Sequence, residues 1–162
     1  MRTVTLQGKS FHLKGSLPKI GQHLPDCTLV DTDMKPVKLS SFHGKKLVLV
    51  VVPSLDTPVC QKETRHFHQL LAKKKDVHLV VVSMDLPFAQ KRWCGAEGLD
   101  LVVLSDFKDR QFADKFGVQI EELGLLARSI FVAKEDGTLS YLEVVPVLSD
   151  EPNYQKVLDH LA

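Results

Sequence analysis

Six consecutive apolar residues, Leu47-Val48-Leu49-Val50-Val51-Val52, constrain this chain more than any other feature. The run is too short for an independent helix, it is rich in β-branched side chains, and it stops at Pro53. A strand with one face in water would alternate apolar and polar residues. A continuous run instead describes a strand covered on both faces, at the centre of a sheet flanked by helices. Val77 to Val82 is a second such strand, and Leu101 to Leu104 a third. Helical segments are expected between them. One begins near Pro58, because proline suits a first helical turn, and runs to about Lys74. Another spans Pro87 to about Cys94, ended by Gly95 and Gly98, and a third spans Asp109 to Phe116, stopped by Gly117.

The rest of the chain extends this frame. Val4 and Leu6, then Phe11 and Leu13, alternate with polar residues around a turn at Gly8-Lys9, which predicts an N-terminal hairpin. Two short extended pieces, Cys27 to Val30 and Val37 to Leu39, precede a helical turn at Ser40 to Gly44. Ser129 to Ala133 and Leu139 to Val145 are strands joined at Glu135-Asp136-Gly137, whose Asp-Gly pair suits a hairpin. Pro152 opens a last helix. The expected fold is α/β: a mixed central sheet with helices on both faces and an N-terminal hairpin, in one domain over residues 1–162.

Charge and composition exclude several function classes. Lys and Arg total 21 against 20 Asp and Glu, so the clustered positive excess that phosphate binding needs is lacking and no nucleic-acid partner is expected. Lys73-Lys74-Lys75 reads as a solvated helix end. No apolar run approaches the roughly 18 residues of a membrane span. The N-terminus lacks a signal-peptide core, which points to the cytoplasm. Three cysteines, Cys27, Cys60 and Cys94, form an odd and widely spaced set, unlike a secreted disulfide framework. The seven histidines make no metal-binding spacing with them, and there is no glycine-rich phosphate loop. Neither a metal nor a nucleotide cofactor is expected.

Chemistry concentrates at Pro53-Ser54-Leu55-Asp56-Thr57-Pro58-Val59-Cys60. Ligands in α/β folds bind beyond the carboxyl ends of the strands, and Cys60 lies just past such an end. If the helix starts near Pro58, Cys60 is in its first turn, where free N–H groups and the helix dipole stabilise a thiolate. Thr57 is placed to aim its hydroxyl at the sulfur or at a bound oxygen, and Asp56 or Thr57 to cap the helix. The competing reading is a buried structural cysteine. Cys94, in Arg92-Trp93-Cys94-Gly95-Ala96-Glu97-Gly98, sits at a glycine-flanked helix end that opens easily, and its competing role is packing against Trp93. Its distance from Cys60 excludes a C-x-x-C pair and allows a disulfide across a large loop. Cys27 reads as core filler.

These segments carry a family resemblance. Pro53 to Cys60 resembles the P-x-x-x-T-x-x-C motif of peroxiredoxins, and Asp85 to Gly98 resembles the resolving-cysteine segment of the bacterial thiol peroxidases, which are atypical two-cysteine peroxiredoxins. The likeness covers nearly the whole chain. It implies a thioredoxin-like fold, with Cys60 as peroxidatic and Cys94 as resolving cysteine, Thr57 orienting the peroxide and Pro53 shielding the oxidised sulfur. It also implies an arginine beside the sulfur, at the position of Arg128. A hydroperoxide substrate, an intramolecular Cys60–Cys94 disulfide, thioredoxin as reductant and a homodimer are implied with them. Two features depart from the family pattern: Cys27 stands where a large apolar residue is usual, and Gln119 to Leu123 is shorter than the corresponding loop. Two other readings use the same residues differently. One is a redox relay passing oxidation to a partner protein, and the other is a thioredoxin-fold binding module with inert cysteines.

Overall fold

A computed structural model describes residues 2–162. The apolar run becomes β5, Lys46–Val51, and its side chains from Leu47 onward are fully buried. β5 pairs in parallel with β6, Val77–Ser83, and β6 with β7, Val102–Ser105. On the other side of β5 lie β9, Ser129–Ala133, and β10, Leu139–Val144, both antiparallel to their neighbours. β3, Thr28–Val30, and β4, Pro36–Lys38, complete a seven-stranded sheet in the order β10-β9-β5-β6-β7-β3-β4. The fold class is as expected: a mixed sheet, central strands buried on both faces, and an N-terminal hairpin.

Two apolar clusters explain why β5 has no polar face. Leu47, Leu49 and Val51 point to one side, against Phe112, Phe116 and Phe131. Val48, Val50 and Val52 point to the other, where α1, Pro58–Leu71, contributes Cys60, Phe67 and Leu71, and α2, Pro87–Glu97, contributes Trp93. Each buried aliphatic side chain contributes about 1.5–3 kcal/mol relative to exposure, so a polar residue on either face would be costly. α3, Gln111–Phe116, covers the first face, and α4, Tyr154–Asp159, the second.

The N-terminal hairpin, β1 at Thr3–Leu6 and β2 at Lys9–Lys14, belongs to a separate small sheet. Its third strand is β8, Gln119–Ile120, a pairing the local sequence does not announce. Gln7 and Gly8 both take positive φ at its turn, as a tight hairpin connection requires. Along its other edge Thr5 is tied to the segment after β10. Its N–H donates to the Pro146 carbonyl and its carbonyl accepts from the Leu148 N–H, each at 2.8 Å.

Two helix ends differ from expectation. α1 stops at Leu71, before the lysine run. α2 continues through Gly95 to Glu97, and Gly98 ends it in the left-handed conformation. A glycine weakens a helix interior without forbidding it, and only Gly98 occupies the position that needs positive φ.

Candidate active site

The first turn of α1 is built by its sequence. Thr57 is the N-cap residue with extended backbone, and Pro58 follows at a position where a missing N–H costs nothing. The first helical bond is that of the Gln61 N–H to the Thr57 carbonyl, at 3.1 Å. The N–H groups of Val59 and Cys60 therefore have no partner within the helix. The Thr57 hydroxyl is not aimed at the sulfur. It donates to the Ser54 carbonyl at 2.8 Å, which leaves its oxygen free to accept.

Cys60 has no solvent exposure, and Arg128 brings a charge to it. Arg128 directly precedes β9 and is itself 2% exposed. Its Nη2 lies 3.4 Å from Cys60 Sγ. Nε and Nη2 also donate to the Leu148 carbonyl at 3.1 and 2.9 Å, and Nη1 donates to Glu63 Oε2 at 2.6 Å. The planar guanidinium fork is thereby fixed in direction. Burial alone would lower the pKa of Arg128, but the sulfur and the Glu63 carboxylate hold it above its ordinary value. A cation held at this distance is suited to a thiolate and to negative charge developing on an oxygen beside it.

An apolar cavity of ≈ 210 Å³ opens beside this group. Pro53, Thr57 and Arg128 line it together with Leu6, Ile120 and Leu123. The hairpin and β8 thus build one wall, and the Leu148 segment that Thr5 holds supplies the carbonyl that orients Arg128. A larger cavity of ≈ 360 Å³ is lined by His68, Val77 and Leu101 among others; its lining lacks the buried arginine that the smaller one has in Arg128.

The structure brings Pro53, Thr57, Cys60 and Arg128 together. Pro53, Thr57 and Arg128 line the cavity, while Cys60 lies behind Arg128 and, like Cys94, is not part of the lining. Cys94 is half-buried on α2 and packs against the same apolar cluster as Cys60, on the same face of the sheet. Its carbonyl accepts from the N–H groups of Gly98 and Leu99, so the helix end is closed around it. Burial pushes the Cys94 thiol up and the Cys27 thiol up to about 12. Cys27 lies in the cluster on the other face, with 3% exposure.

Two residues of the candidate site escape sequence reasoning. Glu63 stands three positions after Cys60, on the same helix face, and is completely buried against Arg128. The only local signal is an acid at a position whose helical neighbours are apolar. Asp85 is the second. Its carboxylate accepts from the Ser54 hydroxyl at 2.6 Å, the Leu55 N–H at 2.8 Å and the Ser83 hydroxyl at 2.8 Å. It joins the loop before Cys60 to the loop that leads into the Cys94 helix.

This geometry coincides with a family match. The Redoxin family model matches residues 19–158. The thiol peroxidase of Oceanobacillus iheyensis is 44% identical over 162 residues, covering 99% of each chain. That of Bacillus subtilis is 43% identical over 160 residues, covering 98% of this chain and 96% of the relative. The chain belongs to the thiol peroxidases of the redoxin family. Among solved structures, a peroxiredoxin-like protein from Aquifex aeolicus superposes with a TM-score of 0.92 at 38% identity, covering 99% of this chain and 96% of that one. The thiol peroxidase from Chromobacterium violaceum, at 23% identity and a TM-score of 0.91 over 98% and 95% of the two chains, shares the fold. Membership in the thiol peroxidases supplies the activity class.

Proposed function

We propose that the protein reduces hydroperoxides through the sulfur of Cys60, with organic hydroperoxides as well as hydrogen peroxide as substrates. The observation that carries this reading is Arg128 Nη2 at 3.4 Å from a buried Cys60 Sγ, at the edge of an apolar cavity. The Cys60 thiolate attacks the terminal oxygen of ROOH in line with the O–O bond. A sulfur–oxygen bond forms, the O–O bond breaks, and the departing alkoxide takes a proton and leaves as alcohol, so Cys60 becomes a sulfenic acid. The Arg128 guanidinium stabilises the anion before and during this step. The Thr57 oxygen, its own proton committed to Ser54, accepts the peroxide O–H. Pro53 shields the oxidised sulfur, and the apolar lining accommodates an alkyl chain.

Cys94 then condenses with the sulfenic acid, releasing water and forming a Cys60–Cys94 disulfide. Both cysteines sit on helices, so the last turn of α2 and the first turn of α1 unwind locally for the sulfurs to meet. Thioredoxin restores the thiols by exchange. The enzyme works without metal, haem, flavin or nucleotide, as a homodimer in the cytoplasm. The redox relay uses the same cysteines; the apolar cavity lined by Pro53, Thr57 and Arg128 favours the enzyme.

Peroxide consumption coupled to a thioredoxin system tests the scheme. Cys60→Ser should abolish turnover, and full activity would remove Cys60 from the reaction. Cys94→Ser should consume about one equivalent of peroxide and then stall; continued thioredoxin-driven cycling would remove Cys94 from its role.

A further inference from the structure

Among the described residues, Glu63 is the buried acid in contact with the Arg128 guanidinium, and it has no part in the proposed peroxide reduction. It lies on the face of α1 that carries Cys60, with no solvent exposure. One carboxylate oxygen, Oε2, accepts from Arg128 Nη1 at 2.6 Å. The other, Oε1, is buried with no hydrogen-bond partner among the described residues. A second anion-forming group, Cys60 Sγ, lies against the same guanidinium through Nη2. One cation is therefore shared by two acids, in a site closed to solvent where charges are poorly screened.

We propose that Glu63 is a positioning residue that competes with Cys60 for Arg128, so that protonation of Glu63 sets how much positive charge reaches the sulfur. The proposal rests on the reading of Cys60 as the reacting thiol. With Glu63 ionised, Arg128 is already paired and a Cys60 thiolate adds a second negative charge to the site. With Glu63 neutral, the guanidinium and the thiolate form a balanced pair, while Leu148 and Glu63 still hold the fork in place.

The surroundings favour the neutral form. Burial pushes Glu63 up to about 7, against the pull of Arg128. Glu151, in the segment before α4, and Glu143, on β10, push in the same direction. Tyr154, on α4, is a further titratable neighbour coupled to Glu63 and Arg128 alike, while Lys62 and His66 of α1 face Glu151. Arg128 is the positive charge that pairs with Glu63 itself. Two acids coupled through one cation lose their protons in steps that belong to the pair.

The pH dependence of Cys60 alkylation tests this on the reduced, full-length protein, with iodoacetamide and mass spectrometry of the Cys60 peptide. The unaltered protein should show a shallow, two-step profile. Glu63→Gln keeps an oxygen for Nη1 and removes the competing charge. Its profile should be a single step that coincides with the unaltered protein at low pH, where Glu63 is protonated, and runs about one pH unit lower where Glu63 is ionised, which is up to about tenfold faster alkylation there. Superimposable profiles would overturn the proposal, as would a uniform change in rate at every pH, which marks a purely structural role. Should the amide variant fail to fold, Glu63→Met carries the same expectation. The unaltered protein supplies a further arm: capping Cys60 with a neutral group should convert a protonated carboxyl to carboxylate in the infrared difference spectrum at neutral pH, and no such conversion would also overturn it. Alkylation does not depend on turnover. Failure here is therefore distinct from failure of Cys60→Ser to abolish peroxidase activity.

Discussion

Arg128 points one guanidinium at three partners: Glu63, Cys60 and the Leu148 carbonyl. Lysine has the charge but not the fork: its three donors radiate from one nitrogen and lack the planar spread by which separate guanidinium nitrogens reach Glu63, Cys60 and Leu148. Arg128→Lys should therefore lower kcat/KM for hydroperoxides on the order of a hundredfold, the scale seen when one donor to a developing anion is removed. Stopped-flow oxidation followed by Trp93 fluorescence would measure it, and a loss under threefold would show that charge alone suffices. The three cysteines divide along the same lines. Cys27 is buried with a thiol pushed far up, Cys94 is half-buried with its thiol raised by burial, and Cys60 lies within hydrogen-bond distance of the Arg128 guanidinium.

At the scale of elements, the segments that carry Cys60 and Cys94 are fastened to each other. Asp85 holds Ser54 and Leu55, Asp56 pairs with Arg92 of α2 at 2.8 Å, and Arg65 of α1 pairs with Glu97 and lies over the Trp93 ring. The exposed Asp56–Arg92 pair contributes little. The Asp85 bonds are partly buried and contribute more. Asp85→Asn removes the negative charge that strengthens its three bonds and puts an amide N–H₂ opposite the Ser54 hydroxyl, at a cost of about 1–3 kcal/mol. A looser loop should speed disulfide formation after a single peroxide pulse while lowering Tm. A slower or unchanged disulfide step would show that this contact does not restrain the rearrangement.

For the whole molecule, burial of Glu63 makes folding stability depend on pH. Its ordinary pKa of 4.5 is raised to about 7 in the folded chain. Below 4.5 the acid is protonated in both states, and its contribution is complete. As pH rises, the unfolded chain releases this proton first, so the folded state binds more protons and stability falls until about pH 7. Urea unfolding should show the unaltered protein losing on the order of 1–3 kcal/mol relative to Glu63→Gln between pH 4.5 and 7. Parallel pH curves for the two proteins would contradict this. The tertiary arrangement also gives the hairpin a purpose. Through Thr5 it clamps the Pro146–Leu148 segment, whose carbonyl orients Arg128, and through Leu6 it walls the cavity.

Much of this could be read from the chain. The unbroken apolar run around Val50 demands a strand covered on both faces, because any solvated face would show polar residues. Pro58 after Thr57 marks a helix start, and with it the place of Cys60 in a first turn. These are short-range matters, decided by neighbours within a few residues. What sequence alone left open depends on contacts between distant segments. β8 is a strand only because Leu13 and Lys14 lie alongside Gln119 and Ile120. Glu63 is an acid in an apolar setting until Arg128 meets it, and Asp85 is a loop residue until Ser54 and Leu55 reach it. Local pattern determined which elements form and placed Cys60 in the first turn of a helix. Only the folded arrangement decided which charges share that site, because a buried ion pair is specified jointly by segments that are far apart in the chain.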